Sequence, residues 1–205
     1  MTKIYAWAAG GLVAAMLGAF AVMVAFDSRG MEFAHCAGGA VGGDIGGPFT
    51  LVSETGETVT SADVLTEPSL IYFGYTFCPD VCPMDMARNA DAVALLETRG
   101  HMVAPIFISV DPKRDTPEVL ADFTDNLHDR MIGLTGNEEQ VRRAAQAYKA
   151  FYDLHDEGDD EFYLVDHSTM TYLILPGHGF VDFFRRDTTP EEMADRVACF
   201  VDTSF

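Results

Sequence analysis

Positive charge is scarce in this sequence. Its 205 residues carry 13 Lys and Arg against 32 Asp and Glu, a formal charge of −19. Such a chain repels a phosphate backbone, which excludes nucleic acid as a main partner. The surplus of acid keeps a domain solvated, and it also suits a surface that meets a basic partner. Cysteine is scarce as well. Cys36, Cys78, Cys82 and Cys199 are too few to form a disulfide scaffold in a chain this long. Only two of them stand at chelating spacing, short of the four protein ligands a structural zinc site usually takes. The acidic stretch DLHDEGDDE (153–161) misses several ligand positions of an EF-hand, which argues against calcium. No internal repeat is present, and no low-complexity tract beyond one Gly- and Ala-rich segment.

Charge of either sign is missing from residues 4–26. At 1.5 Å per residue this run reaches roughly 30–35 Å, enough to cross a bilayer. Lys3 and the terminal amine precede it and Asp27 follows. The positive-inside rule then places residues 1–3 in the cytoplasm and residues 27–205 on the periplasmic side of the inner membrane. Ala19-Phe20-Ala21, the small-residue pattern of a cleavage site, lies inside the apolar run, so an uncleaved anchor is expected rather than a signal peptide. Tyr5 and Trp7 suit an interfacial position. Residues 27–47 read as a flexible tether, in which His35-Cys36 could offer an auxiliary metal contact. The folded domain is expected over residues 48–205.

Within that domain, FTLVSETGETVT (49–60) reads as a hairpin. SLIYFGYT (69–76) and VAPIFISV (103–110) are continuous apolar runs suited to buried central strands. Pro83 can open a helix that ends near Gly100. Thr116-Pro117-Glu118 predicts a capped helix to about Leu127, and MIGLT a short strand. Asn137 to Gln140 resembles a capping box for a helix to about Phe151. An acidic loop, YDLHDEGDDE, follows. MTYLIL (170–175) and FVDFF (180–184) flank a Pro-Gly-His-Gly turn, and Thr189-Pro190 starts the last helix. Strand–helix–strand, then hairpin–helix, is the core order of an α/β thioredoxin-like fold with an N-terminal hairpin extension.

The densest chemistry is Cys78-Pro79-Asp80-Val81-Cys82-Pro83, directly after a buried strand and where a helix begins. With Pro83 at the first helical position, Cys82 would be the N-cap, and free N–H groups there would lower its pKa. The i, i+4 spacing is one residue wider than a thioredoxin redox motif and lets both sulfurs address one point. Thiolates favour Cu(I) and zinc over hard ions, and Cu(I), content with three ligands, suits this inventory; a plain disulfide or two buried thiols are the alternative. His167 is the best third ligand, because it precedes the apolar strand and a loop there would face the cysteines. An ordinary loop histidine bonded to Asp166 is the competing reading. His155 and His178 read as solvated. Cys199, among Val197, Ala198 and Phe200, reads as a small core residue.

FGYTFCPDVCP (73–83), SVDPKRDTP (109–117) and VDHSTMTYLILPG (165–177) together resemble the SCO/SenC family, over roughly residues 45–203. The resemblance implies a thioredoxin fold and Cu(I) and Cu(II) binding by Cys78, Cys82 and His167. It also implies a role in assembling the CuA centre of cytochrome c oxidase, whose CuA-bearing subunit would be the partner; another copper chaperone could be the donor. Phe77 stands where many members have His, and Leu175 where an Asp often precedes the Pro-Gly turn. The segment Asp111–Asp115 reads either as a polar turn capping the next helix or as a docking contact. The same cysteine pair could instead serve a thiol–disulfide reductase that keeps the oxidase cysteines reduced.

Overall fold

The structure is a computed structural model that describes residues 16–20, 33–36, 44–155 and 162–204. Most of the expected anchor lies outside the described residues. Residues 16–20 are helical, and among the described residues no helix is long and apolar enough to cross a membrane.

The strands are β1 (Thr50–Ser53), β2 (Thr58–Thr60), β3 (Ser69–Gly74), β4 (Ala104–Ser109), β5 (Ile132–Thr135), β6 (Tyr152–Leu154), β7 (Val165–His167), β8 (Thr171–Leu175) and β9 (Gly179–Phe184). The helices are α1 (Ser61–Val64), α2 (Val81–Thr98), α3 (Pro117–Asp125), α4 (Glu138–Ala147) and α5 (Pro190–Ser204). Seven strands form one sheet in the order β2-β1-β5-β4-β3-β8-β9, and β6 pairs with β7 in a separate ribbon. Strands β3, β4 and β5 are parallel, while β1 and β8 run antiparallel to their neighbours. This is the expected thioredoxin-like order with its hairpin at the edge.

Strands β3 and β4 are buried at every position, as continuous apolar runs covered on both faces must be. The register divides their side chains between two clusters. Leu70 pairs with Leu173 and faces Val93, Leu96 and Phe200 of α2 and α5. Ile71 pairs with Tyr172 and belongs to the cluster with Leu120 and Val141 of α3 and α4. The caps foretold from sequence form: the Thr116 hydroxyl accepts from the Val119 N–H, and Asn137 and Gln140 make the reciprocal capping box.

Three expectations change. Helix α4 stops at Ala147, because Lys149 turns into positive φ (53°), and the start of the supposed acidic loop becomes β6. Helix α2 begins at Val81 with Asp80 as N-cap, so Cys82 lies inside the first turn and is not the cap. The segment expected as a free tether is pinned where it is described. Phe33 and Cys36 are buried, and Cys36 forms a disulfide with Cys199. Cys199 is therefore a cross-link rather than a small core side chain.

Candidate metal centre

Strand β3 delivers the first two sulfurs. It ends at Gly74, and the loop that follows is held by Asp115, whose carboxylate accepts from the Thr76 N–H at 3.0 Å and the Thr76 hydroxyl at 2.6 Å. The Ser109 hydroxyl donates to the same carboxylate at 2.5 Å. Burial nevertheless pushes the Asp115 carboxyl upward, with these hydrogen bonds opposing it. The end of β4 thus fixes the start of the cysteine loop. Cys78 is 8% exposed and Cys82 fully buried.

Free N–H groups of the first helical turn do favour a thiolate, but at Cys78. The Cys82 N–H donates to the Cys78 sulfur at 3.4 Å. The Cys82 thiol, the Asp80 and Cys82 N–H groups and His167 all hold Cys78 below the ordinary thiol range, against the opposing pull of burial. Cys82 shifts the other way, raised by its hydrogen bond to Cys78 and then by burial. The surroundings therefore favour the charged form at Cys78, the more accessible of the two, and the neutral thiol at Cys82. This reverses the expected assignment, because entry into the helix two residues earlier aims the first-turn amides back at Cys78.

His167 arrives from the other side, on β7. Pairing with β6 sets its orientation: Tyr152 lies opposite His167 and Asp153 opposite Asp166. Alternation along the strand turns Asp166 away, where it pairs with His155 at 3.0 Å, while the half-buried His167 faces the cysteines. The loop-histidine reading therefore applies to His155, not His167. His167 Nε2 lies 3.3 Å from the Cys82 sulfur, and Nδ1 lies 3.0 Å from the Ser168 carbonyl oxygen. A proton on Nδ1 donated to that carbonyl leaves the Nε2 lone pair for a metal. The Tyr72 and Tyr75 rings meet the imidazole edge-on, at 6.0 and 5.8 Å. The Tyr72 hydroxyl is itself fixed by a 2.9 Å bond to buried Asp85. The two sulfurs and the imidazole lie within 4.8 Å of one another, a soft S₂N donor set that suits Cu(I) or Cu(II) better than a hard ion.

The Asp111–Asp115 segment, with Tyr163 and Gly74, which the sequence did not mark, holds this arrangement together. Arg114 pairs with Asp111 at 2.5 Å, donates to the Tyr163 carbonyl at 2.9 Å and stacks over the Tyr163 and Phe77 rings. It thereby clamps the cysteine loop to the segment leading into β7. The Tyr163 hydroxyl donates back to Asp111 at 2.6 Å. Segment Asp111–Asp115 is thus a framework under the site, which goes beyond the helix-capping reading. Gly74 completes the set. A Cβ there would stand 2.8 Å from the Cys82 sulfur and 2.9 Å from Tyr72.

A model of the SCO1/SenC family matches residues 38–202. The chain belongs to the SCO1/SenC family. It is 53% identical to Protein SenC of Rhodobacter capsulatus over 203 residues, covering 98% of this chain and 91% of that protein. Among solved structures it resembles Arabidopsis thaliana ScoI with copper bound, at a TM-score of 0.72 and 37% identity, over 77% of this chain and 99% of that one. It also resembles yeast Sco1 with copper bound, at a TM-score of 0.74 and 33% identity, over 78% and 90% of the two chains. Both SCO relatives carry the metal that the donor set selects on chemical grounds.

Proposed function

We propose that this chain binds copper, as Cu(I) or Cu(II), through Cys78, Cys82 and His167, and serves the assembly of the CuA centre of cytochrome c oxidase. One observation carries the reading: two sulfurs and an imidazole from two separate elements converge within 4.8 Å of one another. A three-ligand site suits delivery, since a thiolate of the CuA-bearing subunit can enter before a donor ligand leaves. Exposed Phe77, Met84 and Met170 stand beside the ligands in sequence and give a docking partner apolar surface near the metal. Residues 4–26 would anchor the domain to the inner membrane on its periplasmic side, within reach of a membrane-bound partner, and another copper chaperone would load it.

The thiolate–thiol pairing of Cys78 and Cys82 favours a second reading, a thiol–disulfide reductase that keeps the oxidase cysteines reduced. A Cys78 thiolate would attack a partner disulfide and Cys82 would resolve the mixed disulfide. His167→Ala separates the two, because thiol–disulfide exchange needs only sulfur. The variant should lose Cu(II), bind Cu(I) at least about tenfold more weakly, and fail to support oxidase assembly in cells. Its disulfide turnover in a purified assay should persist. If it loses copper yet assembles the oxidase normally, delivery is not the main role and the reductase reading takes its place.

A further inference from the structure

A second cluster has the same donor types as the candidate metal centre. Cys36, Cys199 and His35 bring two sulfurs and one imidazole within 4.8 Å of one another. They lie toward the far end of α2, where Arg99 pairs with Asp195 and His101 with Asp202 on α5. From Cys82 to Arg99 the helix rises about 25 Å, so the two clusters cannot share an ion. Here the sulfurs are joined as a disulfide, which makes them poor ligands until it opens.

The segment carrying Cys36 is also held by contacts other than that bond. Phe33 is 2% exposed and packs against Phe200 and His178, with ring centroids 5.3 and 5.1 Å apart. The Cys36 N–H closes a turn onto the Phe33 carbonyl at 2.9 Å. The Thr203 hydroxyl, anchored to the Cys199 carbonyl at 2.7 Å, lies 3.5 Å from His35 Nε2 and 3.6 Å from the Cys36 sulfur. His35 is exposed, which gives an ion a way in. Opening the disulfide would therefore leave two thiols and an imidazole still gathered around one point.

We propose that Cys36, Cys199 and His35 form a second Cu(I) site that is gated by the redox state of the Cys36–Cys199 bond. A dithiol breaks the S–S bond: two electrons and two protons pass to Cys36 and Cys199, and the dithiol leaves as its own disulfide. Cu(I) then displaces the two thiol protons and takes the S₂N set. The oxidised domain holds one copper and the reduced domain two.

The test uses the full chain under anaerobic conditions, with a Cu(I) chelator as competitor. The chain is either untreated or reduced by a dithiol that is removed before titration. In the Cys78→Ala/Cys82→Ala variant the untreated protein should bind no Cu(I) and the reduced protein one equivalent, with mixed S and N ligation by X-ray absorption. Adding His35→Ala should weaken that binding at least about tenfold. The unmodified chain should go from one equivalent to two on reduction, which guards against misfolding of the variant. A reduced, folded variant with Cys36 and Cys199 both titrating as free thiols, yet holding no Cu(I), overturns the proposal. So does a disulfide that yields to the dithiol only on unfolding. Copper at the Cys78 site is read separately, in the untreated unmodified chain.

Discussion

Two groups of two cysteines and a histidine stand in one small domain in opposite redox states. Cys78 and Cys82 are four residues apart across the start of α2 and remain free thiols, while Cys36 and Cys199, 163 residues apart, are joined. The physical difference lies in what surrounds each pair. A first-turn amide, a thiol proton and an imidazole all address the Cys78 sulfur, so its charge is stabilised without a bond to Cys82. At Cys36 the polar neighbour is instead the Thr203 hydroxyl, 3.6 Å away. The distant pair also does mechanical work that the local pair cannot. A cross-link over so long a loop restricts the unfolded chain far more than one over four residues. Stapling the domain remotely leaves Cys78 and Cys82 free to stay reduced.

The largest effect expected from breaking this comparison is on copper. Cys78→Ala should weaken Cu(I) binding to the untreated chain by more than about a hundredfold, beyond what disturbing a metal's outer shell costs. Cys36→Ala should leave that affinity unchanged and instead lower stability by about 2–4 kcal/mol, seen in urea unfolding without reductant. The reverse pattern, with Cys36→Ala losing copper and Cys78→Ala keeping it, would exchange the roles of the two clusters.

A smaller effect sharpens the contrast through pH. An ordinary thiol has a pKa of about 8.5, so its alkylation rate falls about a hundredfold as pH drops from about 8 to about 6. Cys78 is held below that range and should alkylate at a nearly constant rate over the same interval in the metal-free chain. Cys82, shifted upward and buried, should stay unmodified, as should Cys36 and Cys199 while joined. Mass spectrometry of the peptides reads all four. A Cys78 rate that falls in step with an ordinary thiol would remove the charge asymmetry.

What was legible in the sequence follows the same divide between near and far. The i, i+4 cysteines, the apolar runs of β3 and β4 and the caps at Thr116 and Asn137 are local, and each appears where expected. His167 was readable as a ligand candidate, but its aim is not local. It comes from pairing with residues 152–154, which open the acidic run YDLHDEGDDE and so read as part of a loop. The Cys36–Cys199 bond was harder still, because nothing near either residue marks the other. One signal existed: with Cys78 and Cys82 set aside, two cysteines remain in a chain expected in an oxidising compartment, and an even remainder there favours pairing. The misplaced helix start had a local cause. Pro83 fits the third helical position as well as the first, since neither needs its N–H, so proline alone left the boundary open by two residues.

The smallest expected effect falls on a residue with no chemistry of its own. Gly74 has an ordinary backbone conformation, so its need for glycine comes from contact alone. An added methyl would stand 2.8 Å from the Cys82 sulfur, 2.9 Å from the Tyr72 ring and 3.0 Å from the Phe107 ring. The rings are both fully buried, and Tyr72 is tied to Asp85, so neither ring yields freely. Relief must come mainly from the sulfur, which would move relative to His167 and Cys78. Gly74→Ala should therefore cost about 1–3 kcal/mol of stability, as overpacking of a filled core does. It should also weaken copper at the Cys78 site by about tenfold, or about 1.4 kcal/mol. The remote cluster, toward the far end of α2, should be untouched: the Cys36–Cys199 disulfide should form as before. A folded Gly74→Ala protein with unchanged copper affinity would mean that the Cys82 sulfur tolerates displacement. In that case the closeness of β3 to this sulfur serves packing and not the metal.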